Sequence, residues 1–280
     1  MSKIPSLSIL IPTCNRNESL AKCLDNLIFD VIKESCEIIV SDDSKDQNAK
    51  NLILNDYNWV KWVMGPKKGP AANRNAASKH AKGSWLLFLD DDCLTDEKWL
   101  ETIILNINES SNLIRAFEGS VHADRQYNSD LGYCPVNYSG GCFWSANIAI
   151  KTELFLKIGG FDENYPIAAN EDQDIYLRLL NETSIPFLPK WIVYHPIIKR
   201  TFIEDLKRVS KVQASWTYHV SKHYPQNFRI LQLLTHCYKS NLKELLKGIH
   251  NSNFSQISLN LYCILLGTFN YIKSYYKYSK

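Results

Sequence analysis

The stretch GPAANRNAASKHAKGSWLLFLDDD, residues 69–92, carries the pattern that decides the fold. A helix is expected from about Pro70 to Ala81, and after a short turn WLLFL (Trp85–Leu89) reads as a buried strand. That strand ends in three successive carboxylates, Asp90, Asp91 and Asp92. Two unit charges ~4 Å apart repel by roughly 1 kcal/mol in water and by about 4 kcal/mol near a protein surface, so something must compensate. One compensation is a solvated acidic turn leading into a helix, with Thr95 as its cap and Asp96 and Glu97 at the positive end of its dipole. The other is a divalent cation held by two of the three Asp, because Mg²⁺ and Mn²⁺ prefer carboxylate oxygens and often share them with substrate phosphates.

The same alternation repeats toward the N-terminus. LSILI (Leu7–Ile11) precedes a helix near Glu18–Asp30 that places Leu20, Leu24, Leu27, Ile28 and Val31 at helical spacing. CEIIV (Cys36–Val40) is a second strand, with a helix starting near Asp46, and VKWVM (Val60–Met64) is a third. Strands and helices joined by short turns predict an α/β fold, a mostly parallel, doubly wound, Rossmann-like sheet. Such sheets bind ligands beyond the carboxyl ends of their strands. PTCNR (Pro12–Arg16), SDDS (Ser41–Ser44) and the Asp triplet all fall there. Two acidic strand ends on one edge call for a shared ligand.

Beyond about Asn106 the pattern is mixed. GGCFWSANIAI (Gly140–Ile150) reads as a loop entering a strand, and KTELFLKIGG as a short helix ending at Gly159-Gly160. In NEDQDIYLRLL (Asn170–Leu180), Asn170 suits an N-cap and Ile175, Leu179 and Leu180 form an apolar face. IPFLPKWIVYHP carries a last strand ending at His195. The organisation expected is a catalytic domain over residues 1–200 and a helical, basic, Tyr-rich extension over 201–280. The uncharged run Ile257–Ile272 is interrupted by Asn260 and Asn270 and falls short of the ~20 apolar residues that span a bilayer. Packing on its own domain or on a homodimer partner is the favoured reading of these helices; peripheral membrane contact is the alternative.

With 45% apolar residues in 280, the chain can bury a sizeable core. A net charge of +3 without basic, aromatic-studded repeats excludes nucleic acid as the main partner. The eight cysteines show no C-x-x-C pair, and the N-terminus lacks the pattern of a signal peptide, so a reducing cytoplasm is expected.

SILIPTCNR, EIIVSDDS, GPAANRNAASKHAKGSWLLFLDDD, SANIAIKTELFLKIGGFDE, EDQDIYLRL and the terminal YH occur in an order and spacing that resembles family 2 glycosyltransferases of the GT-A fold. The resemblance covers residues 6–196. It implies inverting transfer of a sugar from a nucleotide-sugar, usually a UDP-sugar, to a glycan or lipid-linked acceptor, with Mn²⁺ or Mg²⁺ on the diphosphate. By the same resemblance Pro12 and Thr13 line the base pocket, Asp43 accepts from the uracil imide, and Arg74 reaches the diphosphate or the base. Asp91 or Asp90 touches the ribose, Asp92 and His195 hold the metal, and Asp172 is the general base. Trp144, Asn147 and Glu171 are expected on the donor-sugar and acceptor side. Asn73 stands where the family usually has Ala, and Ala77 where it has Gly. A sugar nucleotidyltransferase would show a Gly-rich loop after the first strand, which IPTCNR lacks. An inactive nucleotide- or glycan-binding relative acting as an assembly subunit is the other alternative; peripheral contact would be at the inner face of the membrane.

Overall fold

The computed structural model describes residues 6–34, 36–128, 132–165 and 167–225, and beyond them positions 235, 242, 246, 257, 258, 260–262, 264, 269 and 272. Two compact units emerge: Met1–Glu163 with Glu171–Ile198, and Asn164–Asn170 with Lys199–Lys280.

In the first unit β1 (Leu7–Thr13), α1 (Asn17–Glu34), β2 (Glu37–Asp42), α2 (Asn48–Asp56), β3 (Lys61–Met64), α3 (Pro70–Ser78) and β4 (Trp85–Phe88) alternate. Then come β5 (Leu94–Thr95), α4 (Trp99–Glu109), β6 (Ala116–Ala123), β7 (Ile148–Lys151), α5 (Thr152–Lys157), α6 (Glu171–Leu180) and β8 (Phe187–His195). The eight strands form one sheet in the order β3-β2-β1-β4-β7-β6-β8-β5.

Alternate residues of each central strand bury opposite faces, which explains their unbroken apolar runs. Ile9, Ile11, Ile38, Val40, Trp85 and Leu87 pack with α1, α2 and α4, whereas Leu10, Ile39, Leu86 and Phe88 pack with α3, α5 and α6. The strands β1 to β4 pair in parallel. β7 runs antiparallel to both β4 and β6, and β6 pairs in parallel with β8. The two reversals cancel. The carboxyl ends of β1, β2, β4, β6 and β8 therefore share one edge.

Three local expectations are corrected. Thr95 caps no helix: it lies in β5, where its backbone N–H and hydroxyl donate to Asn26 Oδ1 at 2.5 and 2.9 Å, and α4 starts four residues later at Trp99. Leu180 is 46% exposed, so the apolar face of α6 is Ile175 and Leu179. The helix from Pro70 ends at Ser78, short of Ala81.

In the second unit α7 (Phe202–His223) opens with a capping box between Thr201 and Glu204. Tyr165 Oη lies 3.0 Å from His219 Nδ1, and the Ser215 hydroxyl donates to the Ala169 carbonyl. Half of the run 257–272 lies outside the described residues; among those described, no helix is long and apolar enough to cross a membrane.

Candidate active site

Thr13 ends β1, and its hydroxyl donates to Asp91 Oδ2 at 2.6 Å. Pro12, one residue earlier, is buried beside Ser41 of β2. The Asn73 amide ties these strand ends together, donating to the carbonyls of Thr13 at 3.2 Å and Ser41 at 2.9 Å. Alanine could not do this, so the departure at this position is a cross-link.

Asp42 serves the turn itself, accepting the N–H groups of Ser44 at 2.8 Å and Ala49 at 3.2 Å. Asp43 accepts the N–H of Lys67 at 2.8 Å on Oδ1 and that of Gly69 at 3.0 Å on Oδ2. A carboxylate has about four acceptor sites, so each oxygen keeps one direction for a ligand. Burial pushes the Asp43 carboxyl up from its ordinary value, against these two N–H groups. A Cβ on Gly65 would come within 2.3 Å of Asp43 Oδ1, so only glycine lets the chain pass here.

The Asp triplet splits three ways, as alternation at a strand end requires. Asp90 pairs with Arg74, Nη2 to Oδ1 at 2.7 Å, and the guanidinium holds this carboxyl below its usual range although burial opposes it. Asp91 is fully buried, meets Thr13 and the Arg16 fork at 2.5–3.1 Å, and is pushed up to about 7 by burial. Asp92 takes Arg16 Nη1 on Oδ2 at 2.7 Å, and its Oδ1 faces His195 Nε2 at 3.6 Å. Arg16 is thus a cation supplied by the chain itself.

Arg74 is 4% exposed and joins two acidic groups, because its Nη1 lies 3.5 Å from Glu171 Oε1 on α6. Burial opposes its charge, but Asp90, Asp172 and Glu171 overcome that and keep it protonated. The Phe161 ring covers it, with the guanidinium carbon 5.6 Å from the centroid. Arg74 Nε and Nη1, Glu171 Oε2 and Asp172 Oδ1 are buried without a hydrogen-bond partner among the described residues. Glu171 is 2% exposed while Asp172 is half-buried. Burial raises both carboxyls, and the charge of Asp172 adds to the shift of Glu171.

Asp92, Cys93 and His195 bring one ligand atom each within 4.8 Å of one another. The His195 Nδ1 contact to the Pro196 carbonyl, 2.8 Å, orients the ring so that Nε2 faces Asp92. Burial raises the Cys93 thiol well above its ordinary value. Asp92 and His195 offer an oxygen and a nitrogen donor, which suit Mn²⁺ or Mg²⁺. Asp92 Oδ1 has no hydrogen-bond partner among the described residues, so the donors present fit such a cation.

The model of the family described as glycosyl transferase family 2 matches residues 8–150. An uncharacterized glycosyltransferase of Haemophilus influenzae is 32% identical over 220 residues, covering 73% of this chain and 71% of that one. This chain belongs to glycosyl transferase family 2. A mannosyltransferase of Pyrobaculum calidifontis, solved with GDP-Man and Mn²⁺, superposes with a TM-score of 0.59 at 16% identity, over 98% of this chain and 74% of that one. That likeness shows a shared GT-A fold. A Campylobacter jejuni GalNAc(5)-diNAcBac-PP-undecaprenol beta-1,3-glucosyltransferase is 33% identical over 111 residues, 38% of this chain and 36% of that one.

Within this glycosyltransferase, Asp43, Arg74, the Asp triplet, Glu171, Asp172 and His195 gather at one sheet edge, linked by the contacts above. Asn147 does not join them. It is fully buried, its Oδ1 accepts from Trp99 Nε1 at 2.9 Å, and its Nδ2 donates to the carbonyls of Ser120 at 3.0 Å and Trp191 at 2.7 Å. Trp144 packs partly buried against the core cluster. The sequence reading singles out neither Arg16 nor Cys93. Arg16 closes PTCNR, where a cation beside an acidic strand end is the available signal; a buried Cys gives none.

Proposed function

We propose that this protein moves a sugar from a UDP-sugar to a hydroxyl of a glycan or lipid-linked acceptor, with inversion at the anomeric carbon. The observation that carries the reading is the buried Arg74, paired with Asp90 on one side and facing Glu171 on the other, with Nε and Nη1 lacking a hydrogen-bond partner among the described residues. A planar fork with unused donors suits an anionic diphosphate. Thr13 and Pro12 are assigned to the base pocket, Asp43 to the base N–H, and Asp90 and Asp91 to the ribose side. Asp92 and His195 would hold Mn²⁺ or Mg²⁺, which supplies charge neutralisation on the leaving diphosphate when bound.

Asp172 is assigned as the base. Its position in the first turn of α6 favours the ionised form, and its Oδ1 is left without a hydrogen-bond partner among the described residues. The acceptor oxygen forms a bond to the anomeric carbon as the bond to the diphosphate oxygen breaks. The acceptor proton passes to Asp172, and the electron pair leaves with the nucleotide. Trp144 and Glu171 are assigned to the donor and acceptor side. The lipid-linked acceptor is supported by the Campylobacter relative, a GalNAc(5)-diNAcBac-PP-undecaprenol beta-1,3-glucosyltransferase. It goes with a cytoplasmic protein meeting the inner face of a membrane.

The test is release of UDP or GDP from a panel of nucleotide-sugars with Mn²⁺ and acceptor, with the anomeric configuration of the product read by NMR. Acceptor-dependent UDP release and an inverted product are expected. GDP release would move the donor to a guanosine sugar, and retention would remove the single-displacement scheme.

A further inference from the structure

The segment between β6 and β7 is anchored by a side chain that the chemistry above does not use. Glu118, on β6, is 1% exposed. Its Oε2 accepts the N–H of Gly141 at 2.8 Å, and its Oε1 accepts the N–H groups of Cys142 at 2.9 Å and of Phe143, together with Asn137 Nδ2 at 2.8 Å. Gly140 and Gly141 at φ 84° and Phe143 at φ 51° are left-handed, and the turn they make aims three successive N–H groups at one carboxylate. Such a backbone is uncommon for Phe and persists only where its surroundings fix it.

The other side of this loop meets α6. Gln173 Nε2 donates to the Cys142 carbonyl at 2.5 Å, and the Phe143 ring lies 5.4 Å from that of Tyr176. Two residues further on, the buried Ser145 favours the ionised form of the Asp172 carboxyl through its hydroxyl and backbone N–H, against burial. The loop is clamped between Glu118 and the helix that carries Asp172.

We propose that Glu118 is a positioning residue for Asp172, acting through residues 141–145. The inference rests on the reading of Asp172 as the base. Glu118 touches no reactant: its oxygens are filled by the loop's own donors. By fixing the loop it fixes the Gln173 and Tyr176 contacts on the first turns of α6, from which Asp172 projects, and with them the place of Ser145 beside that carboxyl.

The experiment is a double-mutant cycle of Glu118→Gln with Asp172→Asn, reading kcat and, by calorimetry, donor affinity. Glu118→Gln is expected to lower kcat at least about tenfold, leave donor affinity within about twofold, and add no further loss in the Asp172→Asn background, as residues acting as one unit do. Ser145→Ala should reproduce the same non-additive loss, and it carries the test if Glu118→Gln does not fold. Unchanged kcat, a matching loss of donor affinity, or losses that multiply across the cycle would overturn the inference. Near-normal turnover in Asp172→Asn alone would instead remove the base reading, and this inference with it. An impaired Asp172→Asn with a multiplicative cycle removes the inference only.

Discussion

His195 Nε2 lies 3.6 Å from Asp92 Oδ1, while the other nitrogen of the same ring is held by the Pro196 carbonyl at 2.8 Å. A ring oriented from behind keeps Nε2 aimed at a carboxylate oxygen that has no hydrogen-bond partner among the described residues. His195→Ala should weaken Mn²⁺ binding by at least about tenfold, since disturbing even an outer partner of a metal ligand is worth ~10–100-fold. Asp92→Ala should weaken both Mn²⁺ and UDP binding. Calorimetry showing UDP affinity indifferent to Asp92→Ala and to EDTA would end the metal assignment.

Asp172→Asn should lower turnover by ~10²–10⁴-fold, the usual worth of general-base help. Donor affinity should survive, because the amide keeps the shape. Glu171→Gln should lose less. Stopped assays of turnover beside calorimetric donor affinity decide the point.

The pH profile has a definite sign. Burial raises the Asp172 carboxyl above its ordinary value, and a base works only when ionised. kcat should therefore fall on the acid side, with its limb above the usual carboxylate range, and Asp172→Asn should flatten that limb. A limb that stays in place in Asp172→Asn would assign it to another group.

Asn147→Ala leaves Trp99 Nε1 and the carbonyls of Ser120 and Trp191 without their partner. At about 1–3 kcal/mol for each buried group left unsatisfied, a loss of several kcal/mol is expected in urea denaturation. UDP affinity of the folded fraction should stay near wild type. A stable variant with lost affinity would return Asn147 to the ligand side.

Tyr57 donates to Asp25 Oδ1 at 2.9 Å, and burial, followed by Asp25, pushes its hydroxyl up to about 12. A folded-state pKa above the unfolded value of about 10 gives stability that is complete below pH ~10 and lost as pH rises toward 12. Tyr57→Phe should lose about 1 kcal/mol at pH 7 and lack this alkaline component. Parallel denaturation curves for the two proteins at pH 7 and above pH 10 test it.

β1, β2 and β4 were legible because their centres are buried on both faces and so read as unbroken apolar runs, whereas β3, at the sheet edge and with only Val63 buried, was legible from its place in the alternation. β6 was not: AFEGSVHA carries Glu118, Gly119 and Ser120 in a buried strand, and their polarity is satisfied by partners far along the chain. Asn147 misleads for the same reason, since an amide meeting three core partners looks in the sequence like an amide free for a ligand. The acids of the site were visible as strand-end clusters. Arg16 and Arg74 as their counter-charges depend on tertiary approach, which spacing alone does not encode.

The backward strand β7 is also a joint. It lets the β1–β4 half and the β6–β8 half meet at one edge while each keeps its own direction of hydrogen bonding. The length of the segment between β6 and β7, ahead of the glycine turn and Asn147, can therefore vary without disturbing the register of β1, β2 and β4. A scaffold divided in this way invites grafting: one half can be retained as a common chassis and the intervening segment exchanged between relatives, provided Glu118 and the glycine turn travel with it.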